Sequence, residues 1–324
     1  MIIVTGGAGF IGSALIWRLN QEGIENILVV DALDTSDKWK NLVNLRFADY
    51  LDRREFMERL EAGTLPPEVE VLVHMGACSA TTERDARYLM ANNTQYTKRL
   101  TEWALDRSLR FIYASSGATY GDGRFGYSDA DANTLRLKPL NMYGYSKHCF
   151  DLWALRNGYT AQIAGLKFFN VFGPNEYHKG DMRSVVHKAF EQIRDRGRVE
   201  LFKSYRPDYA DGEQVRDFVY VKDAVEVLWW LINHPDVNGI YNVGTGRART
   251  WNDLVSAVFA AMDRPRNITY IEMPEALRDR YQYRTEADTG KLRSAGFNAP
   301  FSPLEEAVRD YVQGYLTQDD PYLG

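Results

Sequence analysis

Tyr143 and Lys147 stand four residues apart at the start of a helix-period stretch, Asn141-Met142-Tyr143-Gly144-Tyr145-Ser146-Lys147. That spacing puts a phenol and an ammonium on one face of a helix. A phenol titrates near 10, so acting as a base at neutral pH asks for about 4 kcal/mol of help. An ammonium about 4 Å away, at an effective dielectric of about 20, supplies roughly that amount. The chemistry that suits such a pair is proton removal from an alcohol. Ser115-Ser116 close a short apolar run, and a hydroxyl there, Ser116 in preference to Ser115, is placed to hold the reacting oxygen. Tyr-x-x-x-Lys alone is common. It gains weight only beside something that can take up hydride.

That partner is written at the N-terminus. Val4-Thr5-Gly6-Gly7-Ala8-Gly9-Phe10-Ile11-Gly12 lies between an apolar run and a segment of helical period. It satisfies both Gly7-x-Gly9-x-x-Gly12 and Gly6-x-x-Gly9-x-x-Gly12. Glycines permit the tight turn and let the backbone approach a pyrophosphate, while the helix start aims free N–H groups at it. Asp31 follows Gly12 by 19 residues, where an acid accepts hydrogen bonds from an adenosine ribose and favours NAD. Lys38 and Arg53 lie in loops able to face the same ribose and neutralise a 2′-phosphate. Spacing therefore leaves NAD and NADP open. A nicotinamide beside a phenol base makes reversible oxidation of a carbinol the expected chemistry.

The elements that must position these groups follow from periodicity. Ile2–Thr5, Ile27–Val30, Val71–His74, Phe111–Ser115 and Ile163–Phe168 read as buried strands. Phe10–Gln21, Arg53–Glu61, Ala86–Arg107 and Tyr143–Arg156 read as helices between them. The alternation predicts an α/β fold, a Rossmann-type doubly wound parallel sheet. Residues 1–170 form the dinucleotide-binding domain, and segments near 215–243 return to it. Residues 171–214 and 244–324 form a smaller, discontinuous α/β substrate-binding lobe. The elements after residue 170 are a helix near 182–196, strands Phe218–Val221 and Ile240–Val243 around a helix from Lys222 to Asn233, a helix Trp251–Met262, a strand Ile268–Ile271 and a helix Leu304–Tyr315.

Composition sets the class of partner. Of 324 residues 45% are hydrophobic, and the net charge of −5 argues against a nucleic-acid or anionic-membrane surface. Two cysteines, Cys78 and Cys149, suit reduced thiols in the cytoplasm. His74 and His187 lack companions at metal-ligand spacing, so no metal is expected. Asn170 ends a strand, where ligands are met in open α/β sheets. Lys179 sits in a loop before a helix, as a second acid/base or a surface lysine. Arg216 can meet a phosphate as a planar fork. Tyr281 reads as pocket wall or core aromatic, and Cys78 as packing near the cofactor.

Together the glycine loop, the strand-end serines and Tyr143/Lys147 resemble the extended short-chain dehydrogenase/reductase family, which includes sugar-nucleotide epimerases, dehydratases and decarboxylases. Gly76-Ala77-Cys78-Ser79-Ala80-Thr81-Thr82-Glu83, Tyr113-Ala114-Ser115-Ser116, Phe169-Asn170-Val171, His178-Lys179-Gly180 and Arg216-Asp217-Phe218-Val219-Tyr220-Val221 narrow it. They resemble the branch that interconverts ADP-D-glycero- and ADP-L-glycero-β-D-manno-heptose, an isomerase activity that supplies lipopolysaccharide inner-core heptose. The resemblance implies one tightly bound NADP per subunit, with NAD as the other option, an ADP-heptose substrate, and a homo-oligomer. It implies that Gly6, Gly9, Phe10, Ile11, Gly12, Asp31, Ala32, Lys38, Arg53, Met75, Gly76, Ala77, Cys78, Ser79, Asn92, Lys147, Val171 and Lys179 contact the dinucleotide. Tyr143 and Lys179 are the two proton acceptors. Ser116, Asn170, Asp181, Lys188, Phe202, Arg216 and Tyr281 face the sugar nucleotide. Arg53 departs from an expected Lys, Asp181 from Ser and Lys188 from His. Gly117 and Ala118 replace the Asp-Glu pair of a 4,6-dehydratase. A UDP-sugar 4-epimerase shares the serine and the Tyr–Lys pair and is the nearest alternative. A dinucleotide-sensing protein without catalysis is the more distant one, since such proteins commonly lose the Tyr or the Lys.

Overall fold

The computed structural model describes residues 1–278 and 281–324. Five parallel strands come first: β1 Ile2–Thr5, β2 Ile27–Asp31, β3 Asp49–Asp52, β4 Val71–His74 and β5 Arg110–Ser116. β6 Ala164–Phe168 follows, and after it the short strands β7 Asn170–Phe172, β8 Val199–Phe202, β9 Val215–Arg216 and β10 Phe218–Tyr220. β11 Gly239–Val243, β12 Arg249–Thr250 and β13 Ile268–Ile271 complete the set. Seven of these form one sheet in the order β11-β6-β5-β4-β1-β2-β3, with every pairing parallel. The strand order reverses between β1 and β4, which opens a crevice at their carboxyl ends.

Alternation along the strands builds two cores. Val4, Val29, Val73 and Ile112 face one side with helices α1 Phe10–Gln21 and Val221–Asn233. Ile3, Leu28, Val30, Leu72 and Phe111 face the other, against α2 Arg53–Ala62 and later helices. Side chains two apart share a face, so a parallel strand covered on both sides is apolar at every position. The first cluster continues without a break into the C-terminal half through Phe172, Val186, Phe190, Leu254, Val258 and Tyr311.

Several expectations need correction. The helix expected over 86–107 is three pieces: α3 Ala86–Leu89, a wide π-turn at Met90–Gln95, and α4 Tyr96–Asp106. The wide turn lets Asn93 bond the Cys78 amide at 2.9 Å, its carbonyl at 3.0 Å and the Ser146 hydroxyl at 3.0 Å. The terminal helix ends at Tyr311 and runs on into a second π-turn, Val312–Leu316. Asn170 does not end β6. The chain turns at Phe169, which bonds the Val243 carbonyl, and Asn170 opens β7 beside Phe218. β3 was not anticipated because, as an edge strand, it buries only Leu51 of its four residues. β8, the parallel partner of β13, was missed as well.

After α5 Asp131–Thr134, helix α6 Met142–Arg156 begins at an Asn141 cap, whose side chain accepts the Gly144 amide at 2.7 Å. It carries Asp151 into the sheet, where Asp151 and Lys167 make a fully buried ion pair at 2.8 Å. Tyr113 and Ser115 donate to the same carboxylate at 3.0 and 2.7 Å. Breaking a buried pair by removing one partner leaves an uncompensated charge and costs about 3–5 kcal/mol. Asp151→Asn is therefore expected to lose about that much in denaturant unfolding. Glu55→Gln, which breaks the exposed Arg59–Glu55 pair, is expected to cost under about 0.5 kcal/mol. Equal losses would remove the distinction.

Candidate active site

The glycine loop is held by contacts that no side chain could share. Gly6 has φ +67°, and a Cβ there would lie 2.5 Å from the Gly76 amide nitrogen. A Cβ on Gly12 would lie 2.1 Å from the Gly6 carbonyl oxygen. The loop thus packs backbone to backbone against β4 and against its own helix. Gly9 precedes α1 without a side-chain cap, so the first amides of that helix stay available at the crevice.

Around the loop, Gly6, Asp31, Ala32, Lys38, Arg53, Gly76, Ala77, Cys78 and Asn92 line one cleft. Gly9, Phe10, Ile11, Gly12, Met75, Ser79, Lys147, Val171 and Lys179 lie outside that lining: Met75 packs on the core and Ser79 is exposed. Thr5, Val30, Asp34, Tyr88 and Tyr96 line it too, although sequence singled out none of them. Asp31 is fully engaged. One oxygen accepts the Ala8 amide at 3.0 Å, and the other accepts the Ala32 amide and the Lys38 ammonium at 2.8 and 2.7 Å. Arg53 reaches Asn92 at 2.7 Å. The hydroxyl of Tyr96 is buried without a hydrogen-bond partner and belongs to the same lining. A cradle too tight for Cβ atoms, exposed helix amides, two cations and an orphaned hydroxyl fit a dinucleotide. The glycine loop and α1 would hold its pyrophosphate, with Lys38 and Arg53 at the ribose.

At the end of β5 the two serines divide their work. Ser115 is spent on Asp151. The Ser116 hydroxyl accepts the Ala118 amide at 3.1 Å and lies near enough to the Tyr143 phenol to lower it. The ammonium of Lys147 is 4% exposed and donates to the Ala114 carbonyl at 2.7 Å. Burial pushes that ammonium down to about 8, against the opposing pull of Asp151 and Cys78. The expected acidification of Tyr143 is not what these side chains produce. Burial raises its phenol, the Ser116 hydroxyl lowers it, and Cys78 adds to the rise. The ammonium is turned to a backbone carbonyl, and a nicotinamide bound in the crevice would supply further positive charge.

Lys179 stands on the turn Tyr177–Met182, its ammonium 5.1 Å from the centre of the Phe10 ring at the start of α1. Burial lowers it and buried Glu176 opposes that. Arg216, 7% exposed, lies with its guanidinium 5.5 Å from the Trp251 ring centre and 5.1 Å from that of Tyr281. Trp251 donates to the Tyr281 hydroxyl at 2.9 Å, closing the pair of rings. Among the described residues no carboxylate pairs with Arg216. Trp251, Tyr127 and Tyr209 join this group from distant positions that carry no spacing signal. The 120–127 loop ties it to the Ser116 turn through Tyr120 and Tyr127, whose tilted rings lie 5.3 Å apart, and Tyr127 donates to the Arg284 carbonyl. Asn170 and Asp181 are exposed, and Lys188 donates to the Asp181 carbonyl at 2.5 Å. Phe202 ends β8 beside Ile271. His74 bonds Thr5 and Thr97 at 2.5 and 2.9 Å, and burial holds it down to about 3, a neutral core histidine.

A dinucleotide cradle, a Tyr–Lys–Ser set at the adjoining strand end and a buried guanidinium between two rings, without a carboxylate partner among the described residues, define a sugar-nucleotide-modifying member of the short-chain dehydrogenase class. The chain belongs to the NAD dependent epimerase/dehydratase family, whose profile matches residues 2–244. It is 63% identical over 323 residues, covering 100% of both chains, to the ADP-L-glycero-D-manno-heptose-6-epimerase of Nitratidesulfovibrio vulgaris. It is 48% identical to the enzyme of the same name from Fusobacterium nucleatum, again over 100% of both. The crystal structure of the Helicobacter pylori ADP-L-glycero-D-manno-heptose-6-epimerase superposes with a TM-score of 0.79 at 27% identity, covering 97% of this chain and 95% of that one.

Two outcomes test the division of labour. Ser116→Ala is expected to lower kcat by about 10–100-fold with little change in Tm, while Ser115→Ala chiefly lowers stability, by about 1–3 kcal/mol. The reverse pattern would exchange their roles. Turnover is also expected to fall as pH rises through about 8, because Lys147 then loses its proton and with it the positive charge available to a phenolate formed during the reaction. In Lys147→Arg the guanidinium stays charged to about pH 12 and that limb moves out of range, at a reduced maximal rate. A kcat profile over about pH 6–10 reads both.

Proposed function

We propose that the protein interconverts ADP-D-glycero-β-D-manno-heptose and ADP-L-glycero-β-D-manno-heptose by oxidising C6 and reducing it from the other face. The observation that carries this reading is the presence of two separate basic groups beside one dinucleotide cradle: Tyr143 with Lys147 and Ser116, and Lys179 over Phe10. Two proton acceptors on opposite sides of one nicotinamide suit the two configurations of a carbinol. Full-length similarity to relatives named for this reaction supports the substrate.

A bound nicotinamide supplies the acceptance and return of hydride. Tyr143 takes the hydroxyl proton of one epimer while Ser116 holds the oxygen, and Lys147 stabilises the phenolate that results. Lys179 does the same for the other epimer. The substrate carbon passes through a 6-keto sugar, and proton and hydride are both restored, so there is no net redox change. Arg216 meets the diphosphate as a fork between Trp251 and Tyr281. Asn170, Asp181, Lys188 and Phe202 supply further sugar-nucleotide contacts, and Met75, Ser79 and Val171 further dinucleotide contacts. NADP is the cofactor of this reading. Asp31 is already neutralised by Lys38, and Arg53 adds a second cation to the same cleft. Residues 171–214 and 244–324 act as the substrate lobe of a cytoplasmic homo-oligomer serving lipopolysaccharide inner-core heptose supply. No helix among the described residues is long and apolar enough to cross a membrane.

Incubation with the ADP-D-glycero epimer deuterated at C6 is expected to give the ADP-L-glycero product with the label retained. Complete loss of label to water would overturn the hydride route. Inversion of UDP-galactose with no reaction of the ADP-heptose would move the assignment to a 4-epimerase. Nucleotide released by denaturation is expected to be NADP. Replacing Lys38 and Arg53 together by Met is expected to weaken NADP binding by about 10–100-fold and leave NAD binding within a few-fold.

A further inference from the structure

Lys179 hangs from a turn whose position is set at one residue. Asn175 is fully buried and has φ +74°, a left-handed conformation that a non-glycine residue keeps only where its surroundings impose it. Its side chain is used at both ends. The amide nitrogen donates to the Ser13 hydroxyl at 3.0 Å, and the amide oxygen accepts the Leu323 backbone N–H at 3.1 Å. Its carbonyl accepts from Asn41 at 3.0 Å, and the same Asn41 nitrogen lies 2.9 Å from the Ala8 carbonyl in the glycine loop. One residue therefore ties the Lys179 turn to α1, to the glycine loop and to the segment Asp320–Gly324.

That segment is a strap. Leu323 is fully buried in the main core. Tyr177 donates to the Pro321 carbonyl at 2.6 Å and meets the Tyr322 ring edge-on at 5.2 Å. Trp17 of α1 donates to the Gly324 carbonyl at 3.2 Å, and Asn44 donates to Asp320 at 2.8 Å. On the far side of the turn, Glu176 accepts the Ser184 hydroxyl at 2.6 Å, and its carbonyl accepts the Lys179 amide at 3.0 Å. The backbone that carries Lys179 is thus fixed from both directions, with its ammonium over Phe10.

We propose that Asn175, clamped between Ser13 and the strap Asp320–Gly324, is a positioning residue that sets where Lys179 stands over the dinucleotide loop. This rests on Lys179 acting as the second proton acceptor. It implies that loosening the clamp slows only the half-reaction that Lys179 serves, since Tyr143 and Lys147 stand on a separate helix, capped by Asn141 and tied to β5 through the Ala114 carbonyl.

The test uses the holoenzyme as isolated and follows the appearance of reduced cofactor in a single turnover from each epimer separately. Lys179→Met first identifies the epimer whose oxidation Lys179 serves. Asn175→Gly keeps the left-handed backbone at no steric cost and removes both side-chain bridges. It is expected to slow oxidation of that same epimer by about tenfold or more, the scale of a misplaced group, and leave the other within about twofold. Should Asn175→Gly fail to fold, Tyr177→Phe keeps the ring against Tyr322 and loses only the bond to Pro321. The same one-sided loss, of smaller size, is expected there. Equal slowing of both half-reactions, or of neither, overturns the positioning role. If Lys179→Met itself spares both, the two-base reading falls, whatever Asn175→Gly does.

Discussion

The structure depends on a steric exclusion at the first βα turn. Gly6 lies against Gly76 and Gly12 against Gly6, at distances where any Cβ would meet backbone. Because the loop closes this tightly, α1 starts at Phe10 with its amides facing the crevice. The same closure brings Ala8 within 3.0 Å of Asp31 and turns its carbonyl to Asn41. Phe10 then lies under Lys179, and Ser13 reaches Asn175. A methyl group at residue 12 would move all of these contacts at once, because each is measured from the same helix start.

Buried charge is distributed by a consistent rule. Lys167 is paired with a carboxylate and also donates to Thr119 at 2.7 Å, so its charge is spent on holding the strand-end turn. Lys147 meets a carbonyl, Lys179 an aromatic face, and Arg216 two rings and a carbonyl. None of these last three has its charge cancelled by a hydrogen-bonded carboxylate among the described residues. A cation in such surroundings is partly desolvated and retains affinity for an anion or a developing negative oxygen. The paired lysine braces the fold, and the less satisfied cations stand where chemistry and phosphate recognition are proposed.

How far the sequence could be read follows from which signals are local. The glycine loop, the span Phe10–Gln21 and the strand Ile268–Ile271 came through with their observed bounds, because turn chemistry and periodicity fix them within a few residues. The preference for Ser116 over Ser115 cannot come from composition; it depends on which of two neighbours faces Asp151, a residue on another element. Trp251, Tyr127 and Tyr96 were invisible as site residues for a related reason. An aromatic in a helix or loop looks the same whether it walls a cleft or fills a core. Asn92 was noticed, yet Asn93 is the residue that ties the Cys78 loop to α6. The π-turn that separates their directions leaves no mark in a hydrophobic pattern. The phenol was misjudged because i, i+4 spacing gives proximity but not direction, and the Lys147 ammonium is aimed at Ala114.

Asp31 shows the same limit in electrostatic form. An acid at the end of the second strand argues for NAD because a free carboxylate repels a 2′-phosphate and accepts from the ribose hydroxyls. Here both oxygens are already taken, one by the glycine loop and the other by Ala32 and Lys38. Its charge is offset before any ligand arrives, and Arg53 faces Asp34 across the same lining, so the cleft's two carboxylates are matched by two cations. The carboxylate then acts as a brace for the loop, and the repulsion on which the usual inference depends is weakened. Spacing locates an acid. Whether it discriminates against a phosphate is decided by the cations that fold onto it, seven and 22 residues further along the chain.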